Sequence, residues 1–300
     1  MKKKNFTFPL ILISLQILLG CIKEPIPTNS SDGYFIQPGD IIISDNAQDS
    51  VILYDSEGNF KDVILDAVNN AEITYGVAWD PVTKSVLVSI DGSDRITSIK
   101  AIDGSISTRI SNANLAGALR SVSTLSNGDI VVLESNNLEK FTNSGTRITS
   151  GFPIAGIQSN PADIHGLASG GFIVCSYGTD VVRSYDNDGN QIATRSSGIA
   201  ATNAYGCTEL ANGNIAVTWD GGTDTVIVYD STLSTEVATY SDTSIISAPR
   251  AIAQANNGNL LVADSNFDHI IEIDQSGNFV RYLISFGLSS VWDMMVVPSF

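Results

Sequence analysis

The chain carries 16 lysines and arginines against 32 aspartates and glutamates, yet it places two arginines and three large aromatics at equivalent points of its sequence. Tyr75, Arg120, Ala162, Tyr205, Arg250 and Trp292 each open a short strand-like stretch. The residues two places on, Val77, Val122, Ile164, Cys207, Ile252 and Met294, are apolar and read as packed positions. Arginine and the aromatics carry binding energy more often than other residue types. Two facing arginines can clamp a carboxylate or phosphate through parallel N–H bonds, and tyrosine and tryptophan add flat stacking faces. Between these two columns lie Gly76, Ser121, Asp163, Gly206, Ala251 and Asp293. The binding reading therefore takes Tyr75, Arg120, Asp163, Tyr205, Arg250, Trp292 and Asp293 as one ligand site. The competing reading pairs each arginine with Asp163 or Asp293, so that the group plugs the fold and serves no ligand.

A further acidic set is Asp45, Asp91, Glu134, Asp220 and Asp264. Such an acid ordinarily caps the following loop by accepting backbone N–H bonds, and several together can hold Ca²⁺. Ca²⁺ is the one cofactor this composition suggests. The two histidines, His165 and His269, each sit alone on a strand. No serine elbow, zinc spacing, phosphate loop or redox cysteine motif is present, so the expectation leans away from an enzyme. Cys175 and Cys207 lie in apolar runs of neighbouring units. They read either as a disulfide formed in an oxidising compartment or as two buried thiols.

What positions these residues is a repeat. GDIIISD (39–45), SVLVSI (85–90), GDIVVLE (128–134), GFIVCSY (171–177), GNIAVTW (213–219) and GNLLVAD (258–264) recur 46, 43, 43, 42 and 45 residues apart. A period in the forties with four short strands per unit predicts a β-propeller. The sixth unit shows the plan: a first strand from Pro249, a tight turn at Asn256-Asn257-Gly258, and a near-continuous apolar strand from Leu260 to Ala263. A third strand from His269 to Asp274 and an outer strand from Phe279 to Ile284 complete it. The hairpin glycine between third and fourth strands recurs at Gly58, Gly104, Gly145, Gly189 and Gly277. The fifth unit substitutes Ser231-Thr232-Leu233-Ser234, which predicts a longer turn. The first unit lacks a first strand, and the segment from Val291 to Val297 is an orphan first strand. Pairing the two closes an all-β, six-bladed ring with no open edge.

From Gly39 to Pro298 the units resemble NHL-repeat and TolB-like six-bladed propellers: glycine, apolar strand, Ala-Asp, turn, third strand ending in Asp, glycine turn. The resemblance implies the fold and leaves function open, because that superfamily includes scaffolds, binders, hydrolases and lyases. Gluconolactonase- and paraoxonase-type hydrolases hold a divalent metal at the channel mouth with Glu, Asn and Asp. The aligned positions here are Tyr, Arg, Ala and Trp, with acids only at Asp163 and Asp293. Lyase relatives that use a channel histidine match only through His165.

The N-terminus gives an address. Met1–Lys4 is basic and Phe6–Leu19 is apolar, too short for a confident membrane span and right for a signal peptide. The run Leu18-Leu19-Gly20-Cys21 resembles a bacterial lipobox, which implies cleavage before Cys21, lipidation of that cysteine, membrane anchoring through it and an outer-membrane location. Losing Lys2, Lys3 and Lys4 takes the net charge from −16 to −19, so a nucleic-acid partner is not expected. The predicted organisation is a signal peptide (1–20), a lipidated cysteine with its tether (21–36) and one propeller domain (37–300). The predicted role is a non-enzymatic binding module of the cell envelope for a small ligand or a partner protein. The alternatives are a metal-dependent hydrolase or lyase and a pure scaffold.

Overall fold

The computed structural model describes residues 34–69, 72–242 and 244–300. The signal sequence, Cys21 and the tether up to residue 33 lie outside the described residues. Blade 1 contains β1 (Ile41–Asp45), β2 (Ser50–Tyr54) and β3 (Phe60–Leu65). Blade 2 is β4 (Thr74–Asp80), β5 (Ser85–Ile90), β6 (Arg95–Lys100) and β7 (Ile106–Ile110). Blade 3 is β8 (Leu119–Thr124), β9 (Ile130–Glu134), β10 (Asn137–Phe141) and β11 (Arg147–Ile148). Blade 4 is β12 (Pro161–Gly166), β13 (Phe172–Ser176), β14 (Val181–Tyr185) and β15 (Gln191–Arg195). Blade 5 is β16 (Ala204–Glu209), β17 (Ile215–Trp219), β18 (Thr225–Tyr229) and β19 (Glu236–Tyr240). Blade 6 is β20 (Pro249–Gln254), β21 (Leu260–Asp264), β22 (His269–Ile273) and β23 (Phe279–Ile284).

The last strand, β24 (Val291–Val296), pairs antiparallel with β1, Ile41 opposite Val296 and Ile43 opposite Met294. The result is six four-stranded antiparallel sheets, with blade 1 in the order β24-β1-β2-β3. The expected closure is therefore present, and the first and last units are held in one sheet. The second strands are buried along their whole length, which explains why they read as continuous apolar runs. Blade faces pack on one another through six apolar clusters. In blades 1, 4 and 6 the hairpin between third and fourth strands uses an aspartate whose carboxylate accepts two local N–H bonds: Asp55 from Glu57 and Asn59, Asp186 from Asp188 and Asn190, and Asp274 from Ser276 and Asn278. In blade 5 Asp230 does the same, but its N–H reaches Thr235 instead of a residue four places on, so this turn is one residue longer. Leu233 there takes the positive φ of 57° that glycine takes elsewhere.

The inner strands β24, β4, β8, β12, β16 and β20 run from an upper face, where their first residues lie, to a lower face. The first and last described residues, Tyr34 and Phe300, meet on the lower face. Phe35 N–H donates to Ile102 O at 3.3 Å and Ile36 N–H to Ala101 O at 2.9 Å, with Ile36 fully buried. Tyr34 and Trp79 pack their rings on Phe300. Residues 34–36, expected in the tether, thus belong to the packed body, because the apolar triplet Tyr34-Phe35-Ile36 finds the edge of blade 2.

Candidate functional site

Each of Tyr75, Arg120, Ala162, Tyr205, Arg250 and Trp292 is the second residue of an inner strand. The alignment read from sequence is the register of the ring. At this point the pairing with the second strand slips in all six blades. Such irregularities re-aim side chains and are frequent beside sites.

Trp292 lies at the centre of the upper cluster. Its ring meets Tyr75 edge-on at 4.7 Å, and the Arg120 and Arg250 guanidinium carbons stand 6.0 and 5.6 Å from its centroid. Arg120 also covers Tyr75 at 5.3 Å, and Arg250 covers Tyr205 at 4.8 Å. Two glycines bring each arginine over its tyrosine. A Cβ on Gly206 would meet the Arg250 carbonyl oxygen at 2.2 Å, and one on Gly76 would meet Ser121 Cα at 2.6 Å. Only glycine after each tyrosine lets the next inner strand approach so closely. Ser89 and Thr218 hydroxyls accept the N–H groups of Gly76 and Gly206 at 2.7 and 2.8 Å.

The arginines do not pair with Asp163 and Asp293, which corrects the plug reading. Among the described residues the ion pairs are Lys61–Asp40, Arg109–Asp80, Lys140–Asp129, Arg147–Glu139 and Arg281 with Glu57 and Glu272. Arg120 and Arg250 are in none of them. The Arg250 Nε is enclosed and has no hydrogen-bond partner. Both guanidiniums rest on aromatic faces, and neither makes a side-chain hydrogen bond among the described residues.

Asp163 and Asp293 lie one level down and act between blades. Asp293 accepts the N–H bonds of Val77 (2.8 Å) and Met294 (2.7 Å). Asp163 accepts the Ser121 hydroxyl (2.8 Å) and the N–H groups of Ile164 (2.8 Å) and Cys207 (3.0 Å). They stand on opposite blades, and enclosure in the channel raises both carboxyls. Asp163 is pushed up to about 6, chiefly by burial. Asp293 is pushed well above the usual carboxylate range by burial first and by the Asp163 charge second. They line a cavity of about 340 Å³ that opens on the lower face, together with His165, Glu209, Trp79 and Met294. The seven predicted residues are thus divided between the two ends of the channel, five above and two below.

The acids of the second strands cap loops. Asp45 accepts N–H bonds from Gln48, Ser289 and Ser290, Asp91 from Leu119, Glu134 from Ala116 and Asp264 from Ser247, Asn266 and Phe267. Asp220 differs: burial raises its carboxyl, and the Arg250 charge pulls it back. Among the described residues no three acidic, histidine or cysteine side chains are grouped to hold a metal. Blade 4 has no acid at the end of its second strand: Ser176 ends the strand and Tyr177 follows, at the place of Asp91 and Asp220, and stacks on Tyr205 at 5.1 Å. Sequence reading passed over Tyr177, although the missing acid marked it. His269 stacks on Phe267 and meets Tyr282 edge-on, away from the channel. Cys175 and Cys207 are buried thiols in hydrogen-bonding contact across blades 4 and 5; burial raises both.

No family model matches the chain. No curated protein matches it either. Solved structures share the fold. A chain from the nidogen/laminin complex superposes with a TM-score of 0.70 at 15% identity, covering 86% of this chain and 98% of that one. A catalytically inactive histidine-to-alanine variant of virginiamycin B lyase from Staphylococcus aureus, solved with quinupristin, gives 0.66 at 14% identity over 86% and 85%. A protein of unknown function from Bacteroides caccae gives 0.60 at 14% identity over 88% and 100%. At these identities the likeness shows a six-bladed propeller and nothing finer.

Proposed function

We propose that this chain is a binding module of the bacterial cell envelope, held at the outer membrane by lipid on Cys21, that captures a carboxylate or phosphate group at the upper mouth of its channel. The observation that carries the reading is the pair of guanidiniums, Arg120 and Arg250, flanking Trp292 and forming no ion pair among the described residues of a chain of net charge −16. A protein with twice as many acids as bases that leaves two cations unpaired at one point presents a local anion site on a repelling surface. Tyr75, Tyr205 and Trp292 hold the guanidinium planes and exclude water beside them. The address rests on the N-terminal sequence, the basic start, the apolar run and Leu18-Leu19-Gly20-Cys21. The first described residue, Tyr34, packs on the lower face, opposite the arginine mouth. The fold neighbours include a protein in a protein–protein complex and an enzyme, so the fold itself does not choose between such roles.

Isothermal titration of the purified protein with citrate and with inorganic phosphate tests the reading. Saturable binding of at least one anion is expected, with affinity falling tenfold or more in Arg120→Ala. Absence of binding by both anions, or the same affinity in Arg120→Ala, overturns it.

A further inference from the structure

The lower end of the channel is a second site with the opposite chemistry. Its cavity of about 340 Å³ falls within the size range of small-molecule pockets. Its inner end is the layer formed by Asp163 and Asp293, its rim carries Glu209, and no lysine or arginine lines it. The N–H and O–H groups that bond to the two aspartates satisfy oxygen lone pairs and bring no counter-charge. Burial pushes both carboxyls toward the neutral form, and a cation brought against them would favour the ionised form instead. A second, independent feature is His165. Its ring is partly exposed, borders the cavity and makes no hydrogen bond among the described residues. Burial holds it neutral, with its ionisation lowered to about 4, so it offers an unpaired ring nitrogen to an N–H donor. The remaining wall is apolar and polarizable: Val77, Trp79, Ile252, Met294 and Met295.

We propose that this cavity binds an alkylammonium ligand, its ammonium head at the Asp163–Asp293 layer and its carbon chain past His165 along Ile252, Met294 and Trp79. A primary ammonium donates to carboxylates brought to one cavity from opposite blades, and His165 borders the same space. The alkyl chain fills the methionine- and tryptophan-lined wall, which a hydrated metal ion would leave unsatisfied. A hard metal ion would ask for six or more oxygen ligands, and the described residues hold no group of three metal-ligating side chains.

The chain has two histidines, one in the cavity and one on the outer part of blade 6, so histidine-selective NMR of the intact protein reads the site directly. Titration with n-butylammonium chloride is expected to shift the His165 ring signals saturably and to leave those of His269 in place. Asp293→Asn is expected to weaken that response at least tenfold. The wild-type spectrum stands on its own where that variant does not fold. A His165 signal that stays fixed, one that moves equally with sodium chloride, or a response undiminished in folded Asp293→Asn overturns the proposal.

Discussion

Removing Arg250 separates a binding arginine from a plugging one, because the structure assigns different magnitudes to the two roles. Arg250 covers two rings, Tyr205 at 4.8 Å and Trp292 at 5.6 Å. Each cation–π contact at a half-exposed site is worth about 0.5–1 kcal/mol, so Arg250→Ala loses about 1–2 kcal/mol of attraction. The same substitution removes an enclosed Nε that has no partner, and an unsatisfied buried donor costs about 1–3 kcal/mol. The two effects offset, and the net change in stability is expected within about 1 kcal/mol of zero, a shift of the thermal midpoint under about 4 °C for a domain of this size. Affinity behaves differently. One arm of a two-guanidinium clamp supplies about 1.5–3 kcal/mol of charge-assisted hydrogen bonding, so citrate binding is expected to weaken roughly 10- to 150-fold. Arg250→Lys keeps the charge without the planar fork and recovers only part of the loss. Urea denaturation and titration calorimetry on the same three proteins give both quantities. A variant destabilised by about 3 kcal/mol or more that binds citrate as tightly as the wild type would refute the reasoning and make the arginine a plug.

The remaining expectations concern the frame around the two sites. Gly206→Ala forces a methyl group to within 2.2 Å of the Arg250 carbonyl oxygen, and overpacking of this kind costs about 1–3 kcal/mol; an unchanged midpoint in thermal denaturation would show that β16 and β20 approach less closely. On acidification from pH 6.5 to 4, unfolded chains take up a proton at His165 that the folded protein, titrating at about 4, does not, so His165 costs stability as pH falls. Asp163, raised to about 6, works in the opposite sense: its stabilising contribution is present below the ordinary carboxylate pKa and is lost as pH rises toward 6. Urea denaturation at pH 4.5 and 6.5 is expected to show His165→Gln losing less stability on acidification than wild type, and a variant with the wild-type pH dependence contradicts the assignment. Because Asp45, Asp91, Glu134 and Asp264 already accept loop N–H bonds, Ca²⁺ and EDTA are each expected to leave the thermal midpoint within about 1 °C; a rise of several degrees with Ca²⁺ would mean that these acids bind metal.

The ring was legible because its determinants are local and repeated. The glycine-led apolar runs placed the second strands, and the columns opening at Tyr75 and Arg120 placed the inner ones residue by residue. The orphan strand at Val291 could only be the missing partner of β1. The pairing within the site was not legible. Alternation along a strand sends neighbouring residues to opposite faces, which left the direction of Asp163 relative to Ala162, and of Asp293 relative to Trp292, undetermined. The slip in pairing at the start of every inner strand aims the arginines at rings, while the aspartates turn to N–H groups of the next blade. Tyr34-Phe35-Ile36 was misread for a different reason: a polar, proline-bearing stretch precedes it, and only the three-dimensional edge of blade 2 shows where the apolar triplet goes.

The two halves of the ring carry the same device. Blades 1, 2 and 3 present Trp292-Asp293, Tyr75-Gly76 and Arg120-Ser121; blades 4, 5 and 6 present Ala162-Asp163, Tyr205-Gly206 and Arg250-Ala251. In each half the aspartate holds the N–H of the next inner strand, at Val77 and at Cys207. The glycine then admits the strand after it, and the arginine comes to rest on the tyrosine. The lower acids and the upper arginine–tyrosine contacts are therefore outcomes of one three-blade pattern used twice. The pattern breaks at one pair. Trp292 stands under both guanidiniums, whereas Ala162 on the opposite blade contributes no ring, and blade 4 ends its second strand in Ser176 and Tyr177 with no acid. Where a fold repeats itself so closely, the departures point to selection for something other than folding. Here they fall on the opposing pair formed by blades 1 and 4, which flanks the two arginines on blades 3 and 6.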